Sequence, residues 1–181
     1  MGLFTGREVA HPAPRSRTLM DAVRDDDRAL VAETLARGES VTQTNAYGRT
    51  PLHKACYYSG APAVIEELIR LGADVDAVDK GNWTCAHLAA RNHHNDALAV
   101  LLSIRTEGAG TSSARNARRV NLAIADVKHG WTAAHSAAIA GNADGARMLR
   151  RAGAAFETRD KSGASVYDLL RENGIDPEEV R

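Results

Sequence analysis

Seven histidines and two cysteines give this 181-residue chain most of its chemical reach. His93, His94 and Asp96 fall together in the stretch NHHND, and two imidazoles beside a carboxylate are donors that zinc accepts. A metal centre needs a further ligand at fixed geometry, and no helical i, i+4 spacing supplies it here. Cys85 stands two residues before His87 at an expected helix start, where a thiol pKa can fall and create a nucleophile. Its competing role is that of a small residue replacing proline at the first helical position. The chain has no Gly-rich phosphate loop, no G-x-S-x-G elbow and no paired carboxylates on a shared face away from turns. We therefore expect no catalytic residue, no cofactor and no metal. A metal-dependent enzyme built on His93, His94 and Asp96 is the lowest-ranked alternative.

His53, His87 and His135 belong to something else, a stretch that recurs. It reads TPLHKAC from Thr50, TCAHLAA from Thr84, TAAHSAA from Thr132 and, in worn form, SVYDLLR from Ser165. The Thr/Ser positions are 34, 48 and 33 residues apart. Each stretch is built to begin a helix. Thr50 can cap the first turn through its hydroxyl, and Pro51 suits the first helical position, where its missing N–H costs nothing. His53 occupies the third position, where a capping box places Glu or Gln. Ala55 and Cys56 are small enough for a second helix to approach closely. A second helix follows each start, as with Val64, Ile65, Leu68 and Ile69 before Gly72, or Met148 and Leu149 before Gly153.

A period near 33 residues carrying a T-P-L-H-x-A core resembles the ankyrin repeat. The resemblance covers roughly residues 17 to 181 and implies an all-α solenoid of stacked helix-turn-helix units joined by short hairpin-like fingers. Residues 1–16, with Pro12, Pro14, Gly2 and Gly6, read as a disordered tail. A cap repeat spans 17–47, with Met20 in the histidine slot and Asp25, Asp26 and Asp27 in a solvated turn. Repeats follow at 48–81, at 82–129 with an inserted loop at about 106–119, and at 130–162, before a C-terminal cap at 163–181. Val120, Leu122 and Ile124 alternate in a way that predicts a short extended piece after the insertion. Ala86 and Ala134 stand where Leu52 stands in the second repeat, so the third and fourth repeats are expected to be the less stable half. The resemblance makes His53, His87 and His135 structural, each tying its Thr hydroxyl to neighbouring backbone.

The residue before each Thr varies: Arg49, Trp83, Trp131, then Ala164. In an ankyrin array this slot lies at the base of the finger on the concave side, so Arg49, Trp83 and Trp131 should form one row. Both tryptophans of the chain are in it, and Trp and Arg are enriched at binding hot spots. Fingertip positions add Tyr47, Lys80, Lys128 and His129, and first-helix positions add Lys54, Leu88, Ser136 and Ile139. The competing reading makes the indoles mere covers for the turn.

Composition narrows the function further. Twenty-three basic residues balance 23 acidic ones, so no global field draws nucleic acid or an anionic membrane. No apolar run approaches the ~18–20 residues of a membrane span. The start has no secretory pattern, and Gly6 stands where a myristoylation signal has Ser or Thr. The cysteines read as reduced packing thiols. The chain is thus expected to be a cytoplasmic monomer, with the nucleus as the alternative location. It would bind another protein, rather than a small molecule, as an adaptor, scaffold or inhibitor with a basic rim suited to an acidic edge. The alternative is a regulatory subunit of a larger complex, nuclear and nucleic-acid-associated, using Arg115, Arg118 and Arg119.

Overall fold

Thr18, Thr50, Thr84, Thr132 and Ser165 each take an extended backbone conformation and start a helix. The computed structural model describes residues 17–103 and 120–180; the tail at 1–16 and the insertion at about 106–119, with Arg115, Arg118 and Arg119, lie outside the described residues. The helices begun by these caps are α1 (Leu19–Arg24), α3 (Pro51–Tyr58), α5 (Cys85–Arg91), α7 (Ala133–Ile139) and α9 (Val166–Glu172). Each pairs with a following helix: α2 (Arg28–Ala36), α4 (Pro62–Arg70), α6 (Asn95–Ser103), α8 (Ala143–Arg151) and finally a 3-10 turn (Pro177–Val180). The first helices stack on one another in an inner row, and α4, α6, α8 and the 3-10 turn form an outer row.

Small side chains allow this stacking. Ala86, Ala89 and Ala90 of α5 and Ala133, Ala134, Ala137 and Ala138 of α7 are all buried, and these two thin helices pack on each other. Large aliphatic side chains fill the space between rows: Leu52, Ile65, Leu68, Leu98, Leu101 and Leu149 are fully buried. Gly60 ends α3 in the left-handed region, φ 61°, and a Cβ there would lie 2.5 Å from the His94 ring.

Two expectations change. The histidine slot of the first repeat is filled by Asp21, not Met20, because Thr18 is the cap and Asp21 is its third helical residue. Among the described residues Val120, Leu122 and Ile124 form turns and irregular chain rather than a strand; the fingers pair through single backbone bonds such as Lys80 N–H to Tyr47 C=O, 3.0 Å. The aspartate run behaves as a turn should. Asp26 is left-handed, Asp27 caps α2 through Leu30 N–H, and Asp25 meets Arg17 and Arg24.

Candidate partner-binding groove

The groove depends on how firmly each finger is held. The inner three repeats do this with histidine. Nδ1 of His53, His87 and His135 accepts the N–H of its capping Thr at 3.2 Å, so that nitrogen carries no proton. Nε2 therefore carries it and donates onward: His53 to Trp83 C=O (3.0 Å), His87 to Trp131 C=O (2.9 Å) and His135 to Thr158 C=O (3.1 Å). Each ring closes its own helix start and fastens the next repeat. Burial, which disfavours the imidazolium, lowers the pKa of all three. Asp21 and Asp168 fill the slot in the terminal repeats and close the local box, and Asp168 also lies 3.8 Å from the Arg159 guanidinium.

Each finger is shaped by an Asn or Asp whose Oδ1 accepts backbone N–H groups. Asn45 holds Tyr47 and Arg49, Asp79 holds Gly81 and Trp83, and Asp160 holds Ser162 and Ala164, all between 2.8 and 3.0 Å. The second oxygen ties the row residue of the preceding repeat: Asp79 Oδ2 accepts Arg49 Nε–H at 3.1 Å, and Asp160 Oδ2 accepts Trp131 Nε1–H at 3.0 Å. Burial opposes ionisation of Asp160, but bonds from Ser162, Trp131 and Ala164 outweigh it and bring its carboxyl down to about 2.

The finger at Asp126 is one residue longer. Asp126 reaches Trp131 N–H five positions on, at 2.7 Å, where the other fingers reach four. The additional residue brings His129 inward. Its Nδ1 lies 3.2 Å from Asp126 Oδ2, and its ring stacks on Trp131 at 3.9 Å and 14°. Asp126 Oδ2 is thereby occupied, and Trp83 packs against the core beside the His87 ring at 5.6 Å.

Arg49, Trp83 and Trp131 do line one groove, which encloses about 920 Å³. Lys80, Lys128 and His129 join them from the fingers, while Leu88 forms buried floor, 2% exposed. Four expected members are elsewhere, among them Ile139, which packs half-buried against the core. Ser136 is fully buried against the neighbouring inner helices and offers nothing to a partner. Lys54 turns to the first repeat, its Nζ donating to Met20 C=O and lying 5.7 Å from the Tyr58 ring. Tyr47 is 70% exposed at its fingertip but outside the groove wall. The physical reason is helix geometry. Four residues after Thr the side chain faces the stack or, in Leu88, the groove floor, whereas seven after Thr it clears the stack in α3 and α5. Tyr57 and Arg91 hold that later position and both line the groove. Tyr57 and Arg91 are the residues that sequence reasoning missed, although the register that produced Ile139 also points to them.

Other candidate chemistry disperses. His94 Nε2 donates back to Tyr57 C=O at 3.3 Å and His93 Nε2 donates forward to Ala140 C=O at 2.9 Å, so the two rings serve opposite repeats and do not converge with Asp96. Among the described residues no cluster of three or more His, Cys, Asp or Glu could hold a metal. Cys85 is not an activated thiol: complete burial pushes its pKa well up, and Cys56 beside it acts in the same direction. No described helix is long and apolar enough to cross a membrane.

Stacked helix pairs, hairpin fingers and a Thr–His ladder define a helical repeat solenoid. The family model for ankyrin repeats (3 copies) matches residues 19–113 and 62–160, and the chain belongs to the ankyrin repeat family. It is 41% identical over 58 residues to the ankyrin repeat protein FPV031 of Fowlpox virus (strain NVSL), covering 32% of this chain and 17% of that protein. It is 29% identical over 124 residues to the nuclear factor NF-kappa-B p105 subunit of Rattus norvegicus, covering 68% and 11%. It is 30% identical over 103 residues to inversin of Gallus gallus, covering 57% and 9%. The chain thus spans less than a fifth of each of these relatives. Ankyrin repeats generally mediate protein binding, and the family is generally non-enzymatic.

Proposed function

We propose that this chain is a protein-binding module that holds a partner in the groove between its fingers and inner helices, acting as an adaptor, scaffold or inhibitor without catalysis of its own. The observation carrying this reading is the row itself. Two indoles, half-buried and held by a rigid ladder behind them, lie side by side with arginine in a groove large enough for a peptide segment. A surface fixed before binding loses little conformational entropy on association. The two buried free thiols support the reading of a reducing compartment, the cytoplasm or the nucleus.

The tagged protein should retain partners from its native cell, and the double variant Trp83→Ala/Trp131→Ala should lose them with its helical circular dichroism preserved. Retention of the same partners by that variant would sink the proposal. The subunit reading based on Arg115, Arg118 and Arg119 rests on residues outside those described and gains no support.

A further inference from the structure

The fixed charges of the groove do not balance, and the imbalance says what it receives. The one carboxylate on its wall, Asp126, is 1% exposed at the side chain and already occupied by His129 and the finger amides, and Asp79 behind the wall, 6% exposed, is occupied by Arg49. Lys80, Arg91 and Lys128 stand on the wall with no ion-pair partner among the described residues. Arg91 also differs from the two lysines in being held in place. Its guanidinium carbon lies 5.4 Å from the Trp83 ring centre and 6.0 Å from that of Trp131. Both indoles attract its cation, and a guanidinium keeps its N–H donors in its own plane, at the edge. Such an edge matches a carboxylate bidentately, and an arginine ordered beforehand loses little freedom in the match.

We infer that the occupant is an acidic, extended segment of a partner protein, with Arg91 anchoring one of its carboxylates. Lys80 and Lys128 attract the segment's remaining charge, and the indoles cover its apolar side chains. A nucleic acid fits less well: three cations interleaved with buried carboxylates make no continuous basic stripe, and the chain's formal net charge is zero. This inference rests on the reading that the groove binds protein.

Short random peptides displayed on phage and panned against the full chain test both, since the only two tryptophans line the groove and their fluorescence reports occupancy directly. Wild type should enrich peptides rich in Asp and Glu. Arg91→Gln, at an exposed site, should keep its circular dichroism and bind the enriched peptide about ten- to a hundredfold more weakly, the range for a hydrogen bond to a charged group. Replacing the peptide's carboxylates by amides should cause a similar loss in wild type and little further loss in Arg91→Gln. Peptides captured in a Trp83- and Trp131-dependent way without acidic enrichment, or bound equally by Arg91→Gln, overturn the inference and leave the protein-binding reading standing. Failure to capture any peptide dependent on those tryptophans overturns the reading beneath it. A poly-dT oligonucleotide that quenches the tryptophans as strongly as the acidic peptide also overturns the assignment.

Discussion

The Thr–His ladder and the groove row are one residue apart along the chain and obey different rules. In the ladder, His53, His87 and His135 make the same bonds in each inner repeat, because every repeat faces the same problem of fastening its neighbour. In the row, Arg49, Trp83 and Trp131 occupy equivalent slots with different side chains and different ties: a salt bridge, core packing, and a bond to Asp160 with a stacked imidazole. Where the surroundings are periodic the chemistry is periodic. Where it is not, something outside the repeat has set it. On the proposed function the ladder serves folding and the row recognition, and mutations should separate the two.

His87→Ala gives the largest expected effect. It removes a fully buried ring, leaves the Thr84 N–H and Trp131 C=O without their partner, and cuts the link between the third and fourth repeats. A loss of about 2–4 kcal/mol follows from an unsatisfied buried pair plus a cavity. Urea unfolding measures it; a loss under 1 kcal/mol would put the ladder's bonds among the dispensable ones.

Trp131→Ala and Trp83→Ala should do the reverse, with a revealing difference. Each should weaken partner binding by about 2 kcal/mol, as central aromatic hot spots do. Trp83 packs on the core and should cost about 1 kcal/mol more stability than Trp131, whose ring is held by His129 and Asp160. Equal stability losses with unchanged binding would return both indoles to the role of turn covers.

Most of the scaffold was legible in the sequence because its signals are local. A Thr three residues before a His, small residues after it and a Gly at the end of the first, second and fourth pairs specify helix starts, close packing and exits without knowledge of the partner helix. The row was legible from register alone. The failures came where register met geometry. Lys54, Leu88 and Ser136 share a repeat position, yet only Leu88 reaches the groove, as its floor, and only three-dimensional packing decides this. Asp21 was missed because the first repeat replaces His by Asp and shifts the apparent alignment by one. The longer finger at Asp126 was hidden by the insertion before it, which made one additional residue unremarkable.

Acid should find the ladder before it finds the fingers. Each ladder histidine has a folded pKa below its ordinary 6.5, so between the two values the unfolded chain binds more protons than the folded one. Stability is then level above about pH 6.5 and falls as pH drops below it, by up to about 1.4 kcal/mol per pH unit for each histidine. The finger carboxylates Asp126 and Asp160 have lowered pKa values, so their contribution is intact above the ordinary 3.8 and is lost below it, toward about 2 for Asp160. Urea midpoints should accordingly begin to fall near pH 6.5. A curve flat down to pH 4 would show that the histidines are not held neutral by the fold.

The smallest expected effect concerns the two halves of the inner row. Leu52 fills its slot in α3, and Ala86 and Ala134 fill the same slot in α5 and α7; all three are buried. If the alanines left space, the missing apolar contacts would cost ~2–5 kcal/mol, and the later repeats would be much the weaker. The helices α5 and α7, whose buried residues are mostly alanine, pack on each other, so close approach should recover dispersion that leucine would have supplied. The deficit should shrink to about 1 kcal/mol, visible as slightly earlier hydrogen exchange in α7 than in α3. Ala134→Leu decides between the two accounts. In a closely packed seam it must push α5 and α7 apart and destabilise by about 1–3 kcal/mol. A stabilising Ala134→Leu would mean that the seam holds unused room.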